Sequence, residues 1–149
     1  HRKLNTLWGS NTTSEGIAHW CAAAIGLPRP FDTPYRVMGV FDGPLIAAVV
    51  FNNYHPESGV IEMHAAASTP RWLTRRVLWE MFNYVFNVAG CQMAVTRVSE
   101  RNARLLRIFT AYGFEHVTIP RLRGREEAER IFWLTDDAWK RNGFHKENA

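Results

Sequence analysis

The apolar residues of this chain change their spacing near the middle of the sequence, and this change limits the folds that it can form. Residues 35–41, 45–51 and 60–66 carry the alternation or the short continuous apolar runs of β-strands. Over residues 72–88 the apolar side chains recur instead at helical spacing, on most sides of the helix. The sequence therefore predicts a mixed fold in which three meandering strands precede a long helix.

The rest of the chain continues this mixture of strands and helices. A first helix begins near Ser14 and ends before Gly26, ahead of the first predicted strand. No linker, internal repeat or low-complexity stretch interrupts the elements, so residues 1–149 are predicted to form a single α+β domain. After the long helix we predict a strand over 92–98, a helix over 103–112, strands over 115–122 and 129–134, and a last helix near 136–141.

Composition indicates a soluble protein of a reducing compartment. The chain has 46% apolar residues and no run near the roughly 20 residues that span a bilayer, so it is neither disordered nor membrane-bound. Cys21 and Cys91 have no spaced Cys or His partner, which argues against a zinc site and against a disulfide scaffold. The start lacks the pattern of a signal peptide. We therefore expect a cytoplasmic protein without a metal ion or a membrane partner.

The positive charge of the chain is carried mainly by clustered arginines. The formal net charge is +4, which suits a polyanionic partner such as a nucleic acid or a phosphorylated cofactor, and guanidinium groups match phosphate oxygens well. The third cluster runs directly into Glu126, Glu127 and Glu129, so we interpret it as a solvated surface of mixed charge. The three clusters are Arg71, Arg75 and Arg76; Arg97, Arg101, Arg104 and Arg107; and Arg121, Arg123 and Arg125.

The segment between the third predicted strand and the long helix is a candidate anion site. Ser68-Thr69-Pro70 leads into a helix start that contains three arginines and Thr74. The unpaired N–H groups and the positive dipole end of a helix start attract anions, and these side chains add donors, so a pyrophosphate would be well held there. The alternative is that Pro70 only occupies the first turn and that the arginines are solvated.

Residues 102–114 carry a more specific signal. They read Asn-Ala-Arg-Leu-Leu-Arg-Ile-Phe-Thr-Ala-Tyr-Gly-Phe, which is an asparagine after a strand, an amphipathic helix and a terminal Gly-Phe. This pattern, with the order of elements before it, resembles the GNAT superfamily of N-acetyltransferases over about residues 35–134. The resemblance implies a central, mostly antiparallel sheet of six to seven strands, flanked by four to five helices. It also implies a splay between the fourth and fifth strands of that sheet, where acetyl-CoA binds as the co-substrate.

The resemblance also assigns the residues that bind the cofactor. The strand over 60–66 would pair with the pantetheine arm through backbone groups near Ala65 and Ala66, with Asn102 on the other side of the arm. The family's phosphate loop reads Gln/Arg-x-x-Gly-x-Gly/Ala, and here Thr74 and Arg76 stand in place of its glycines. Since a Cβ keeps the backbone away from phosphate, we expect a cradle built mainly from side chains. Its residues are Arg71, Trp72, Thr74, Arg75 and Arg76.

The residue in the position of the family's acid is a phenylalanine. In many family members a tyrosine in the helix after the asparagine protonates the departing thiolate, and Phe109 occupies this position here. Phenylalanine donates no proton, but a thiol with a pKa of about 8.5 can leave as the thiolate and take its proton from water. Phe109 would then only border the cofactor. Tyr112, three residues later, is interpreted as a buried aromatic side chain next to the Gly-Phe cap.

Two side chains of the strand over 60–66 are candidates for the catalytic base. Alternation puts Glu62 and His64 on the same face of this strand. An amine must be neutral to attack a thioester, and the pKa values of a carboxylate and a neighbouring histidine can be tuned toward neutral pH. We therefore expect Glu62 and His64 to be catalytic; the alternative is a hydrogen-bonded structural pair. Ser68 and His116 are weaker candidates.

Together the residues and the resemblance predict an acyl-CoA-dependent N-acyltransferase that moves acetyl from acetyl-CoA to an unidentified amine by direct attack. One alternative is a binding module of the same fold that has lost catalysis, since Phe109 and the missing glycines each remove a family feature. A nucleic-acid-binding protein is disfavoured, because no helix carries a continuous basic stripe. The second apolar stripe of the long helix, with Trp79 and Phe86, leaves room for a contact in a homodimer.

Overall fold

The computed structural model describes residues 3–142, which build one seven-stranded sheet with helices on both faces. The strand order is β1-β2-β3-β4-β5-β7-β6, and every neighbouring pair is antiparallel except β4 and β5, which are parallel. This confirms the predicted mixed fold around a mostly antiparallel sheet. The strands are β1 (Asn5–Ser10), β2 (Arg36–Phe41), β3 (Leu45–His55), β4 (Val60–Ala67), β5 (Met93–Ser99), β6 (Glu115–Ile119) and β7 (Glu129–Thr135). The α-helices are α1 (Glu15–Ala24), α2 (Arg75–Asn83), α3 (Ala103–Tyr112) and α4 (Asp136–Arg141).

The first strand was not predicted from the sequence. β1 pairs with β2 along its whole length, from Asn5 opposite Phe41 to Ser10 opposite Arg36. Its alternation is broken rather than clear, because the apolar Leu7 points to solvent with 56% of its surface exposed. The polar Thr6 lies on the inward face with Trp8 and donates a hydrogen bond to Glu80 Oε1 at 2.7 Å. With β1 counted, the strand predicted over 60–66 is the fourth of the sheet and the strand over 92–98 is the fifth.

The predicted long helix is divided into three parts. Pro70–Trp72 forms a short 3₁₀ turn, α2 begins only at Arg75, and a wider π-helical turn over Tyr84–Val88 continues α2 to its end. Thr74 caps α2, because its Oγ1 accepts a hydrogen bond from Val77 N at 3.2 Å. The anion site predicted from the sequence therefore splits into a separate turn and a capped helix start.

Helices cover the two faces of the sheet unequally. On one face, α2, α3 and α4 bury the larger core, whose fully buried members include Met38, Phe51, Met63, Phe82 and Phe132. On the other face, α1 covers β2, β3 and β4, with the side chains of Cys21, Val37 and Val50 between the helix and the sheet. Over residues 3–142, no helix combines the length and the hydropathy that are needed to cross a bilayer.

The second apolar stripe of the long helix is largely part of the core. Phe86 is only 8% exposed, and its ring lies 5.3 Å from that of Trp139 on α4 and 6.2 Å from that of Phe82. Trp79 is half-buried and packs on the same core. The expectation that this stripe leaves room for a homodimer contact is therefore wrong for Phe86, because α4 of the same chain covers that side of the helix.

Candidate active site

The site is built around the point where two parallel strands separate. β4 and β5 pair only from Val60 opposite Met93 to Met63 opposite Thr96. Beyond that pair, β4 runs on to Ala67 and β5 to Ser99 without pairing with each other. At the last pair the Thr96 hydroxyl donates a hydrogen bond to the Met63 carbonyl at 3.0 Å. A gap in the sheet therefore opens immediately after Met63 and Thr96.

A cleft of about 560 Å³ occupies this gap. Its β4 wall ends in Ala65, Ala66 and Ala67, whose small side chains leave the gap open, whereas α3 contributes Asn102, Leu105 and Phe109 on the opposite side. The residues predicted from the sequence that line the cleft are Glu62, His64, Ala65, Ala66, Trp72, Asn102 and Phe109.

The backbone of β4 presents polar groups to the gap at Ala65. Ser68 N donates a hydrogen bond to Ile46 O in β3, and the Met63 carbonyl accepts one from Thr96 in β5. Because backbone groups alternate in direction along a strand, even-numbered residues of β4 face β3 and odd-numbered residues face β5. The N–H and C=O of Ala65 therefore face the cleft, whereas those of Ala66 face Ala48 of β3.

Glu62 and His64 lie together on the face of the sheet that α1 partly covers. His64 Nε2 is 3.4 Å from Glu62 Oε2 and 2.9 Å from Asn52 Oδ1. Asn53 Nδ2 donates a hydrogen bond to Glu62 Oε1 at 2.7 Å. The side chains of Glu62 and His64 are 19% and 20% exposed, so the pair is accessible from the cleft but largely shielded from bulk water.

Burial keeps His64 neutral and its hydrogen bonds select the tautomer. Desolvation lowers the pKa of His64 below its ordinary value, the Glu62 carboxylate partly opposes this shift, and the Arg97 charge adds to it. Both groups near Nε2, the Asn52 amide oxygen and the Glu62 carboxylate, are acceptors, so they favour the tautomer with the proton on Nε2. Nδ1 is then the basic nitrogen of a neutral imidazole.

The α3 side of the cleft combines a helix cap with an aromatic wall. Asn102 caps α3, with its Oδ1 accepting a hydrogen bond from Leu105 N at 3.3 Å, and its backbone N–H donates to Ser99 O at 3.0 Å. Phe109 is buried, with its ring 4.9 Å from that of Phe114. These contacts fix both residues at the cleft wall.

Tyr112, one turn beyond Phe109, does not line the cleft. Its hydroxyl accepts a hydrogen bond from Trp139 Nε1 at 3.2 Å within the core, and burial raises its pKa to about 12. The weaker base candidates also lie elsewhere, because Ser68 Oγ donates to Ile46 O at 3.3 Å and His116 is exposed on β6. None of these three residues lines the cleft.

The arginines of the predicted phosphate cradle do not line the cleft, although Trp72 of the same segment does. Arg71 forms an ion pair with the buried carboxylate of Asp42 in the β2–β3 turn. Arg76 Nη1 donates a hydrogen bond to Leu4 O at 2.9 Å, and its Nη2 lies 3.2 Å from Glu80 Oε2. Acceptors elsewhere in the fold therefore hold two of these guanidinium groups.

Other charged residues take positions at the cleft that the sequence analysis did not assign to it. Arg97, Arg104, Arg123 and Glu129 line the cleft. Glu129 is only 3% exposed, and it accepts hydrogen bonds from Arg97 Nε and Arg123 Nη1, each at 2.6 Å. Arg123 is exposed, as expected for a solvated surface of mixed charge, but it also lines the cleft and pairs with the buried Glu129. In the sequence, the only indication of this role for Glu129 was its position at the start of a predicted strand.

A second carboxylate extends this charged network at the rim of the cleft. Glu127 accepts a hydrogen bond from the Ser99 hydroxyl and lies 3.4 Å from Arg101 Nη1 and 3.3 Å from Arg123 Nε. The Ser99 hydrogen bond, followed by these arginines, lowers the pKa of Glu127. Among residues 3–142, no group of three His, Cys, Asp or Glu side chains is arranged to hold a metal ion.

Comparison with known proteins identifies the fold. No protein-family model matches the sequence, and no curated protein sequence is detectably similar to it. Solved structures do match, and they are GNAT-fold acetyltransferases at low sequence identity. The chain therefore has the GNAT fold that the resemblance implied.

The similar structures include several of the spermidine/spermine N-acetyltransferase SpeG from Vibrio cholerae. Mutant forms of that enzyme match with a TM-score of 0.72 at 12% identity, over 92% of this chain and 98% of theirs. Another SpeG mutant matches over 99% of both chains, with a TM-score of 0.71 at 12% identity. A dodecameric structure of the spermidine N-acetyltransferase matches over 90% of this chain and 95% of its own, with a TM-score of 0.68 at 12% identity.

Proposed function

We propose that this protein is an acyl-CoA-dependent N-acyltransferase that transfers acetyl from acetyl-CoA to an amine by direct attack. The observation that carries the proposal is the cleft between β4 and β5, which has an exposed backbone edge at Ala65 and a neutral histidine beside a carboxylate at His64 and Glu62. The GNAT fold adds the expectation that such a gap binds a CoA thioester.

The gap fits a pantetheine arm. An extended chain with amide groups can pair with an open strand edge, and the N–H and C=O of Ala65 lie at such an edge. The three alanines at the end of β4 leave room for the arm, and Asn102 and Phe109 line the opposite wall. In this proposal Ala66 contributes its small side chain rather than its backbone groups.

The diphosphate end would lie beside residues 70–76. Helix α2 begins there, and helix starts attract anions. We propose that Arg104 supplies a guanidinium at this end, because it lines the cleft and its Nη2 donates a hydrogen bond to Pro70 O at 3.0 Å. Of the originally assigned residues, Trp72 would border the cofactor and Thr74 and Arg75 would form the helix start. Arg71 and Arg76 would instead hold the segment in place through their own partners.

The proton transfers follow from the His64 environment. A neutral His64 can accept the proton of the attacking amine at Nδ1, and the Glu62 carboxylate stabilises the imidazolium that forms. The N–H of Ala65 faces the cleft and would stabilise negative charge on the carbonyl oxygen. Bound acetyl-CoA supplies the thioester carbon to which the amine nitrogen bonds while the carbon–sulfur bond breaks. Since Phe109 donates no proton, water protonates the thiolate.

Calorimetry and a thiol-release assay test the proposal. We expect micromolar binding of acetyl-CoA by the full chain and CoA release that depends on an added amine. Glu62→Gln and His64→Gln should lower kcat by about 10²-fold or more, with little change in acetyl-CoA affinity. His116→Gln is the matched control, because His116 lies outside the cleft. A folded protein that gives no binding heat would refute the proposal and favour the non-catalytic binding module, which has no CoA ligand, whereas micromolar binding would refute that module. Binding without turnover for any amine would refute the transferase activity.

The cysteines support a cytoplasmic location for this activity. Cys21 and Cys91 are both buried and free, and burial raises the pKa of Cys21 to about 12. Unreactive free thiols of this kind are typical of reducing compartments. Fractionation of the source cells, followed by detection of the protein, would test the location.

A further inference from the structure

We propose that the acceptor is an amino carboxylate, such as a free amino acid, and that Arg97 binds its carboxylate while His64 receives the proton of its amine. This inference rests on the proposed function and names the class of its second substrate. It is drawn from the position, the unused hydrogen-bond donors and the charge balance of Arg97 and its neighbours in the cleft.

Arg97 lies across the gap from His64. In the paired part of the two strands, Val95 stands opposite Glu62. Because side chains two residues apart share a face, Arg97 is on the same face of the sheet as Glu62 and His64, one step beyond the point of separation. Both Arg97 and His64 line the cleft, and the Arg97 charge lowers the pKa of His64, which places the two groups within electrostatic reach.

Glu129 holds the Arg97 guanidinium without occupying all its donors. Nε of Arg97 donates to Glu129 Oε1 at 2.6 Å, whereas Nη1 and Nη2 make no hydrogen bond to any residue in the described part of the chain. The side chain of Arg97 is 47% exposed, whereas that of Glu129 is buried. A buried carboxylate thus orients a guanidinium whose remaining N–H groups are accessible to a ligand, and such a fork suits a carboxylate.

The charges of the cleft favour an anion near Arg97. The cleft is lined by three arginines and two glutamates, and one of those glutamates, Glu129, is already shared between Arg97 and Arg123. Only Glu62 remains to attract an ammonium group. A polyamine, the acceptor of the similar SpeG enzyme, would bring a second ammonium close to Arg97 with no carboxylate to receive it. An acceptor with one amine and one carboxylate can place its amine near Glu62 and its carboxylate near Arg97.

The test compares matched acceptors and matched variants of the full chain. CoA release is measured at saturating acetyl-CoA with glycine, β-alanine, ethylamine and spermidine, and acetyl-CoA affinity is measured separately by calorimetry. We expect kcat/KM for the better amino acid to exceed that for ethylamine and for spermidine by about 10-fold or more, the usual effect of a hydrogen bond to a charged group. Arg97→Gln should remove this preference by raising the KM for the amino acid by about 10- to 100-fold.

Two further variants separate charge from folding. Arg97→Lys keeps the charge and should retain part of the preference, because an ammonium cannot form the forked contact. Arg130→Gln removes an arginine from the neighbouring strand β7 that does not line the cleft, and it should leave the KM values unchanged. Thermal unfolding of each variant checks that it is folded. If Arg97→Gln does not fold, the test compares the amino acid preference of the parent protein with that of Arg97→Lys. A smaller preference in Arg97→Lys would then support the inference, and an equal preference would overturn it.

Each contrary result has a separate meaning. Faster transfer to spermidine or ethylamine than to either amino acid would overturn the amino carboxylate while leaving an N-acyltransferase. A loss of acetyl-CoA affinity in Arg97→Gln, with unchanged acceptor KM, would make Arg97 a ligand of the CoA phosphates and would also overturn the inference. Absence of acetyl-CoA binding in the parent protein would refute the proposed function itself.

Discussion

The hydroxyl of Thr96 donates a hydrogen bond to the carbonyl of Met63 at the last residue pair that joins β4 to β5. The next residue of β4 whose backbone faces β5 is Ala65, which has no partner strand there. A side chain thus satisfies the carbonyl at the edge of the gap, and the buried position of Thr96 excludes water from that contact. The gap starts at a defined residue because this hydrogen bond closes the paired region.

Replacing this hydroxyl should destabilise the protein. Thr96→Val keeps the side-chain shape but leaves the Met63 carbonyl without its donor, so we expect the free energy of unfolding to fall by about 1 to 3 kcal/mol. Urea denaturation measures the change. Thr118→Val, on the exposed strand β6, is the control and should change the free energy by less than about 0.5 kcal/mol. Equal effects of the two substitutions would contradict a specific role for the Thr96 hydrogen bond.

The lowered pKa of His64 predicts a pH dependence of stability. Between the ordinary histidine value of 6.5 and the lower folded value, the unfolded chain binds a proton that the folded chain does not. The free energy of unfolding should therefore decrease as the pH falls below 6.5, and above 6.5 the contribution of His64 is complete. In His64→Gln this part of the decrease should disappear, whereas it should persist in His116→Gln. Denaturant titrations at several pH values measure the free energy of unfolding. If this free energy depends on pH in the same way in the parent and in His64→Gln, His64 is not the group responsible.

Phe109 offers a gain-of-function test. Phe109→Tyr places a hydroxyl at the cleft wall where many family members have their acid, and a positioned acid can raise the rate by up to about 10²-fold. The added oxygen also disturbs packing against Phe114 and Phe132, so we expect a loss of stability of about 1 to 3 kcal/mol. Steady-state kinetics and thermal unfolding measure the two effects. Phe114→Tyr, in the same aromatic cluster but outside the cleft, should show the stability loss without the rate gain.

Glu129 is predicted to matter for stability more than any exposed carboxylate. Glu129→Gln removes the charge that holds Arg97 and Arg123. We expect the free energy of unfolding to fall by about 1 to 3 kcal/mol. This is less than the loss for a fully buried ion pair, because both arginines are partly exposed. The matched control is Glu115→Gln on β6, an exposed acceptor for Trp133 Nε1. Chemical denaturation compares the two. A similar loss of unfolding free energy in both variants would show that the buried position of Glu129 gives its ion pairs no additional stabilising effect.

Features that depend on local periodicity could be predicted from the sequence. The alternation along β4 placed Glu62 and His64 on one face, and the structure brings their side chains within 3.4 Å of each other. The helix from Ala103 and its asparagine cap were equally apparent, because Asn102 is followed by apolar residues at helical spacing and by Gly113. Such features need only the geometry of one element, which the sequence specifies directly.

Features that depend on a partner from a distant part of the chain could not be predicted. β1 was missed because Thr6 is directed inward by its hydrogen bond to Glu80, 74 residues away. For Arg71 and Arg76, whether a guanidinium meets a ligand or the protein depends on the positions of Asp42 and Leu4, which only the fold determines. The role of Glu129 was missed for the same reason.

The short parallel contact has a consequence for how the sheet is held together. Within residues 3–142, four residue pairs, from Val60–Met93 to Met63–Thr96, join the strands β1 to β4 to the strands β5 to β7. Each group is internally antiparallel, and beyond this seam the two groups do not pair with each other. The side chains that both groups contribute to one core, such as Phe51 and Phe132, therefore hold the sheet together beside the opening, and an elongated molecule can lie between the strands without displacing a paired one.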